Sequence, residues 1–324
     1  MPNSNVKSVY LGLSPSFIAS GGSGMAHSVT VPATAGRRYF VDSGATSSSN
    51  SNTGLDAGFP LATVDGGINK CTATQGDQVL VLPGHAETIS GAAGVDQDTD
   101  GVSVYGLGEH DARPTLTFSA AASDVNFSAA NCVMSNFKFV SSVNDLVNFV
   151  DFDAGVNRLE HIHMVTSAAK EALGFINIAT TTDNYFVNHC KFEQPSDPEG
   201  TDKADNTGII YCADSEDIDF SWNHCVGNFE TAIIHNKGTK CQRLWVMHNT
   251  WQLELSTCIP LELVAAAEGF ADYNNGLRPA ATDALVAQIW GTIGIEMYIG
   301  SNNSMGNDSG GGGQMGATGA VVTT

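Results

Sequence analysis

Histidines recur at one place in a repeated phrase. Between Cys132 and Trp251 the phrase runs apolar residue, spacer, apolar residue, a two-residue polar corner, then two further inward positions. Aligned on the corner, it reads Cys132 to Phe139, Asn157 to Met164, Tyr185 to Phe192, Phe220 to Gly227 and Leu244 to Trp251. Weaker copies stand at Ala271 to Gly276 and Ile295 to Gly300. The second corner position then collects Asn136, His161, His189, His224, His248 and Asn275. Four imidazoles in a column are donors that a transition metal accepts. The bend gives them another reason to be there. Apolar alternation slips by one residue at the corner, so the chain must turn, and left-handed backbone favours Asn, with His also enriched. Amides stacked from turn to turn hydrogen-bond one another. The column is therefore read as a structural ladder, and neither a metal nor a cofactor is expected.

Glycan hydrolysis needs two carboxylates on a groove, ~5 to 9.5 Å apart depending on stereochemistry. Glu160, Glu193, Asp214, Glu216, Asp217, Asp219 and Glu230 all fall on the middle repeats, and alternation puts Asp217 and Asp219 on one side of a strand. With 34 acidic residues against 14 basic ones, a solvated surface role is the simpler reading for them. An eliminating lyase needs cations for a uronate, and the central repeats offer only scattered Lys138, Arg158, Lys191, Lys237, Lys240 and Arg243. Aromatics for a sugar groove would be Trp222, Trp245, Trp251 and Tyr211, but Trp222 and Trp251 fall at inward positions of the phrase. His85 and Glu87 sit together after the turn signal Pro83-Gly84 with no third partner evident. The glycines of Gly106-Leu107-Gly108 open no helix, which excludes a phosphate loop. No catalytic residue is assigned.

The elements that hold these residues follow from the repeat. Corners recur about every 24 to 28 residues, with one gap of about 35 that contains the turn-rich run Pro195 to Asp202, a spacing typical of solenoids. Short runs rich in Val, Ile and Phe between Gly, Ser, Thr and Asn indicate strands. Tyr39-Phe40-Val41-Asp42 reads as a first strand, and Leu61, Val64, Ile68 and Cys71 lie near helical spacing, as a helix covering an open solenoid end would require. From Asp77 each repeat carries further strands, for example Leu146 to Phe152, Phe175 to Ile178, Ile209 to Cys212, Ala232 to His235, Leu261 to Val264 and Val286 to Trp290. Coils of two or three strands stacked at ~4.8 Å make an all-β, right-handed parallel β-helix, and about nine coils would span on the order of 40 Å.

Four segments are expected. An N-terminal arm, 1–38, has apolar patches at Val9-Tyr10-Leu11 and Phe17-Ile18 among Gly and Ser. A first strand with a capping helix covers 39–76, the β-helix covers 77–305, and a Gly-rich tail covers 306–324. A net charge of −20 with no basic stripe argues against nucleic acid. No run of ~18 apolar residues argues for a membrane, and no signal-peptide pattern opens the chain. Seven Cys without a metal-type pair, with Cys132, Cys190 and Cys225 inward, read as buried reduced thiols.

Tyr39 to Gly44, Gly76 to Thr88, Gly101 to Gly108 and Arg113 to Phe118 resemble the opening coils of right-handed parallel β-helix proteins, of pectin-lyase-like fold, encoded by tailed bacteriophages. That fold hosts lyases, hydrolases, adhesins and virion proteins. The polygalacturonase-like Asn-Thr-Asp, Asp-Asp, Gly-His-Gly and Arg-Ile-Lys motifs are absent, so no catalytic residue carries over. The resemblance implies a non-enzymatic virion structural protein assembled in a host cytoplasm, of capsid decoration or cement type. It would be homotrimeric, with its arm on the major capsid protein or another virion protein. The rival expectation is a tailspike-type polysaccharide depolymerase or a tail protein that binds host surface glycan.

Overall fold

The computed structural model of the chain describes residues 31–167, 170–178, 183–195, 208–212, 215–227, 229, 232–236, 241–253, 259–263, 267–278, 296–299, 302–306 and 314–315. Most of residues 1–38, most of the tail, residues 196–202 of the Pro195 to Asp202 insertion and Val286 to Trp290 lie outside them.

The chain makes one circuit after another. Gln78–Val81 pairs in parallel with Arg38–Val41 and joins a first sheet, Ala86–Ile89 joins a second, and Val95–Asp96 joins a third. The chain then returns to the first sheet at Ser103–Gly106. Among the described residues seven successive circuits supply all three sheets, and two more, Ala267–Asp272 with Asn275–Arg278 and Glu296–Ile299 with Asn302–Gly306, supply the first two. Among the described residues the sheets hold ten, ten and seven strands; each interior strand of the coils pairs in parallel with the coil before and the coil after, and Gln314–Met315 pairs antiparallel with Asn302–Gly306 at one end of the second sheet. This is a parallel β-helix.

Alternation sends one set of side chains into the coil. Phe118, Phe139, Phe149, Phe175 and Phe192 are fully buried there, with neighbouring ring centroids 5.1 to 6.4 Å apart. Truncating any one of them to Ala leaves a cavity worth ~3 to 5 kcal/mol. Cys132, Cys190 and Cys225 are also inward, and burial pushes the Cys132 and Cys190 thiols up to about 11 and about 12.

A short helix, Val64–Ile68, closes the N-terminal end. Thr63 caps it, its hydroxyl accepting the Gly66 N–H at 3.0 Å, and Leu61, Val64 and Ile68 are wholly buried. Gly67 is required for close approach: a Cβ there would lie 2.7 Å from Val79 and 2.9 Å from Val41.

Candidate functional site: the outward columns

Register decides which residues meet. Along the first sheet Ser135 lies beside Glu160, then Asn188, Ser221, Met247 and Asp272. The residue after each makes the bend into the second sheet with left-handed backbone: Asn136 (φ 65), His161 (56), His189 (57), Trp222 (61), His248 (56) and Tyr273 (53). Asn136, His161, His189 and His248 thus occupy the corner expected of them. His224 and Asn275 do not. They fall two residues later and open strands of the second sheet, where His224 pairs with Lys191 and Thr250, and Asn275 with Thr250. A slip of two residues preserves inward and outward parity, so alternation alone does not expose it.

The corner rings stack. His161 faces His189 at 5.0 Å, His189 faces Trp222 at 6.1 Å, Trp222 faces His248 at 4.1 Å and His248 faces Tyr273 at 5.1 Å, all within 13° of parallel. Parallel rings point their nitrogen lone pairs side by side instead of converging them on a point, and among the described residues no cluster of His, Cys, Asp and Glu could hold a metal. Burial, with a neighbouring His189, holds His161 below the usual histidine range. Burial and then Lys191 do the same for His224.

Immediately inside the corner lies a second ladder that alternation did not place. The Asn223, Asn249 and Asn274 side chains are buried. Their Oδ1 atoms accept the N–H of Cys190 (2.8 Å), Asn223 (2.8 Å) and Asn249 (3.0 Å), and their Nδ2 groups donate to the carbonyls of Val187, Phe220 and Val246 at 2.8 Å. Each amide therefore satisfies backbone groups that the bend leaves unpaired.

The described candidates among the middle-coil carboxylates, Glu160, Glu193, Glu216, Asp217 and Asp219, are all engaged. Glu160 pairs with Arg158 at 3.1 Å, and the Arg158 guanidinium covers the Phe186 ring. Arg243 bridges Glu216 at 2.8 Å and Asp217 at 2.5 Å, its hydrogen bonds holding the Asp217 carboxyl down, while Asp219 accepts from Ser221. Asp217 has left-handed backbone (φ 56), so alternation breaks there and the two aspartates do not share a strand face by spacing. Asp214, Glu230, Lys237 and Lys240 lie outside the described residues.

On the second sheet Lys138, His163, Lys191 and His224 form an outward column. His163 Nε2 meets Glu193 Oε2 at 2.6 Å, and Lys191 pairs with the other Glu193 oxygen. Burial outweighs Glu193 and holds His163 below its usual range. Burial pushes the Glu193 carboxyl up, but Lys191 and His163 together outweigh it and leave it low.

Beside the third sheet, a pair that spacing did not indicate brings carboxylates together. Asp124 faces Asp151 from the preceding coil, with Asp153 close by. Burial first, and then the neighbouring Asp151 and Asp153 charges, push Asp124 up to about 6 against the Ala93 N–H that it accepts.

The His85 and Glu87 pair is a structural link. The Ser43 N–H donates to His85 Nδ1 at 2.9 Å, so the ring proton sits on Nε2 and is given to Glu87 Oε2 at 3.1 Å. The same oxygen accepts the Val64 N–H at 2.9 Å, at the start of the closing helix.

No protein family and no curated protein matches the chain. Among solved structures it is similar to a rhamnogalacturonan lyase. The identity is 12%, with a TM-score of 0.38, over 75% of this chain and 68% of that one. The residues proposed for a sugar groove divide differently from the expectation. Trp251 is buried, whereas Trp222 is 55% exposed at the corner and not inward, the same two-residue slip being the cause. Trp245 is 42% exposed and lies on Phe270 at 4.8 Å, and the Tyr211 side chain is outside those described.

Proposed function

We propose that this chain is a non-enzymatic structural protein of a bacteriophage virion, of capsid decoration or cement type, in which the β-helix rod is the working part. One observation carries the reading: the candidate acid, base and imidazole side chains of the outward columns are taken up in ion pairs, hydrogen bonds and ring stacks along the rod. The stacked corner rings cover each other's faces, the surfaces on which a sugar would lie. The carboxylates Glu160, Glu193, Glu216, Asp217 and Asp219 are held by Arg158, Arg243, His163, Lys191 and Ser221. The resemblance of the opening coils to phage β-helices supplies the setting. In this reading the rod is one of three copies, and the arm meets the major capsid protein or another virion protein. Reconstruction of the particle tests it. Density for the rod on the capsid shell is the expected result, and density only at the tail tip would defeat the decoration role.

A second reading, a tailspike-type polysaccharide depolymerase, is favoured by the Asp124 and Asp151 pair. A carboxyl that keeps its proton to about pH 6 is suited to general acid work. Release of new reducing ends from host capsule or lipopolysaccharide, lost in Asp151→Asn, would establish it in place of the structural role.

A further inference from the structure

Two of the buried thiols meet. Cys212 is the last residue of the third-sheet strand Gly208–Cys212, Cys241 is the first of the first-sheet strand Cys241–Met247, and both are 0% exposed. Their sulfurs lie 3.4 Å apart although the residues stand 29 positions apart in the chain. Between them the chain completes one circuit, through Ser215–Ser221, His224–Gly227 and Ala232–Asn236. Parallel stacking explains the meeting. Cys212 pairs with Asn236 in the third sheet and Cys241 with Ser215 in the first, so the two cysteines face each other one coil apart, at the corner where the third sheet passes to the first.

Cys132 and Cys190 are used differently. The Cys132 thiol donates to the Thr99 carbonyl at 3.4 Å and the Cys190 thiol to the Asn188 carbonyl at 3.4 Å, contacts that need a protonated sulfur. Cys212 also has a carbonyl, that of His235, but at a longer 3.7 Å, and its nearer neighbour is the Cys241 sulfur. A thiol is a weak donor and a sulfur a weak acceptor, so this contact contributes little as a hydrogen bond. Two sulfurs in contact at a dry corner have one stronger interaction open to them, a covalent one. The hydrogen bond with Cys241, and then burial, raise the Cys212 thiol well above its ordinary range, which keeps that sulfur protonated and unreactive while the coil is closed.

We propose that Cys212 and Cys241 are a modification site, joined as a disulfide by a low-molecular-weight disulfide of the glutathione type when the folded chain meets an oxidising compartment. The exchange balances in two steps. When the corner opens, the thiolate of one cysteine attacks the oxidant and forms a mixed disulfide, and the small thiolate released takes up the proton that the cysteine lost. The second cysteine, also as its thiolate, attacks the protein sulfur of the mixed disulfide, forms the Cys212–Cys241 bond and releases the second small thiol with its proton. Two electrons thus pass from the protein sulfurs to the oxidant, which leaves as two thiols. Going from 3.4 Å to a bond of ~2.0 Å asks for a small approach of two side chains and no change of strand register. The bond closes one whole circuit into a covalent ring, and a ring of that size removes entropy from the unfolded chain. The inference does not depend on the virion role.

Equilibration of the full chain with mixtures of reduced and oxidised glutathione, followed by acid quench, alkylation and peptide mapping without reductant, tests it. The expected product of the folded chain is a pair of peptides joined through Cys212 and Cys241 within one copy. Its equilibrium constant with glutathione should be about tenfold higher or more than that of the same pair in the chain unfolded in urea, because a bond that stabilises the fold is stabilised by it. The oxidised chain should also unfold at a higher urea concentration than the reduced one, a shift that Cys212→Ala removes. Should that variant fail to fold, the mapping of the unmodified chain decides alone. The proposal is overturned if both cysteines of the folded chain are recovered alkylated at a glutathione ratio that leaves the unfolded chain half oxidised. It is equally overturned by glutathione retained on either cysteine in place of the bond, by a link found only between copies, or by a constant no higher in the folded chain than in urea.

Discussion

Trp222 and His248 lie face to face on neighbouring coils, ring centroids 4.1 Å apart and planes 13° from parallel, and both have left-handed backbone. Two demands thus meet at one position, a φ of 61° and a flat ring. They separate by substitution. Trp222→Asn keeps a residue that accepts the left-handed region and loses the stack, worth ~0.5 to 1.5 kcal/mol. Trp222→Val loses the stack and adds backbone strain, so it should unfold in urea with a further loss of ~1 to 2 kcal/mol. Equal stabilities for the two variants would remove the bend as the reason for this column.

The buried ladder one residue later should be the more sensitive of the two. Asn249 accepts the Asn223 N–H and donates to the Phe220 carbonyl, both at 2.8 Å, and all of these groups are away from water. Asn249→Ala leaves a donor and an acceptor unpaired, each at a cost of ~1 to 3 kcal/mol. The expected result is a drop in the urea midpoint larger than that of Trp222→Asn, with circular dichroism still that of strands.

How far these columns were legible depends on the kind of signal. Alternation with a 24-to-28-residue recurrence is produced by burial itself, so the coils, the closing helix around Val64 and Ile68, and the first strand near Tyr39 could all be read from it. Register across the long insertion could not. Phe220 and Ile218 are both inward, and either can be taken as the first apolar position of its phrase, so the phrase alone does not separate Trp222 from His224 as the corner residue. Contacts between side chains from different circuits leave no local trace either. Asp124 and Asp151 meet because successive coils lie beside each other.

Glu87 joins His85 to the closing helix through a single oxygen, which predicts a graded response. Glu87→Ala leaves the His85 Nε2–H and the Val64 N–H without that acceptor in a nearly buried site, and should lower unfolding free energy by ~2 kcal/mol or more. Glu87→Gln retains one carbonyl acceptor and should cost less than half as much. Equal losses would show that the negative charge, and not the shared acceptor, is what the helix end and the imidazole need.

Asp124 predicts a pH dependence of definite sign. Its carboxyl is raised from 3.8 to about 6 in the folded chain, so between those values the folded state binds more protons than the unfolded one. Unfolding free energy therefore falls as pH rises from about 4 to about 6, and the full penalty remains above that. Asp124→Asn removes the titration. It keeps an oxygen for the Ala93 N–H and removes the charge that faces Asp151. Because the group is only half-buried, solvent screening limits the gain at pH 7 to on the order of 1 kcal/mol. Thermal unfolding from pH 4 to 8 should show the variant more stable at neutral pH, with the two curves converging near pH 4. A variant curve parallel to that of the unmodified chain across this range would mean that the proton is not held at Asp124.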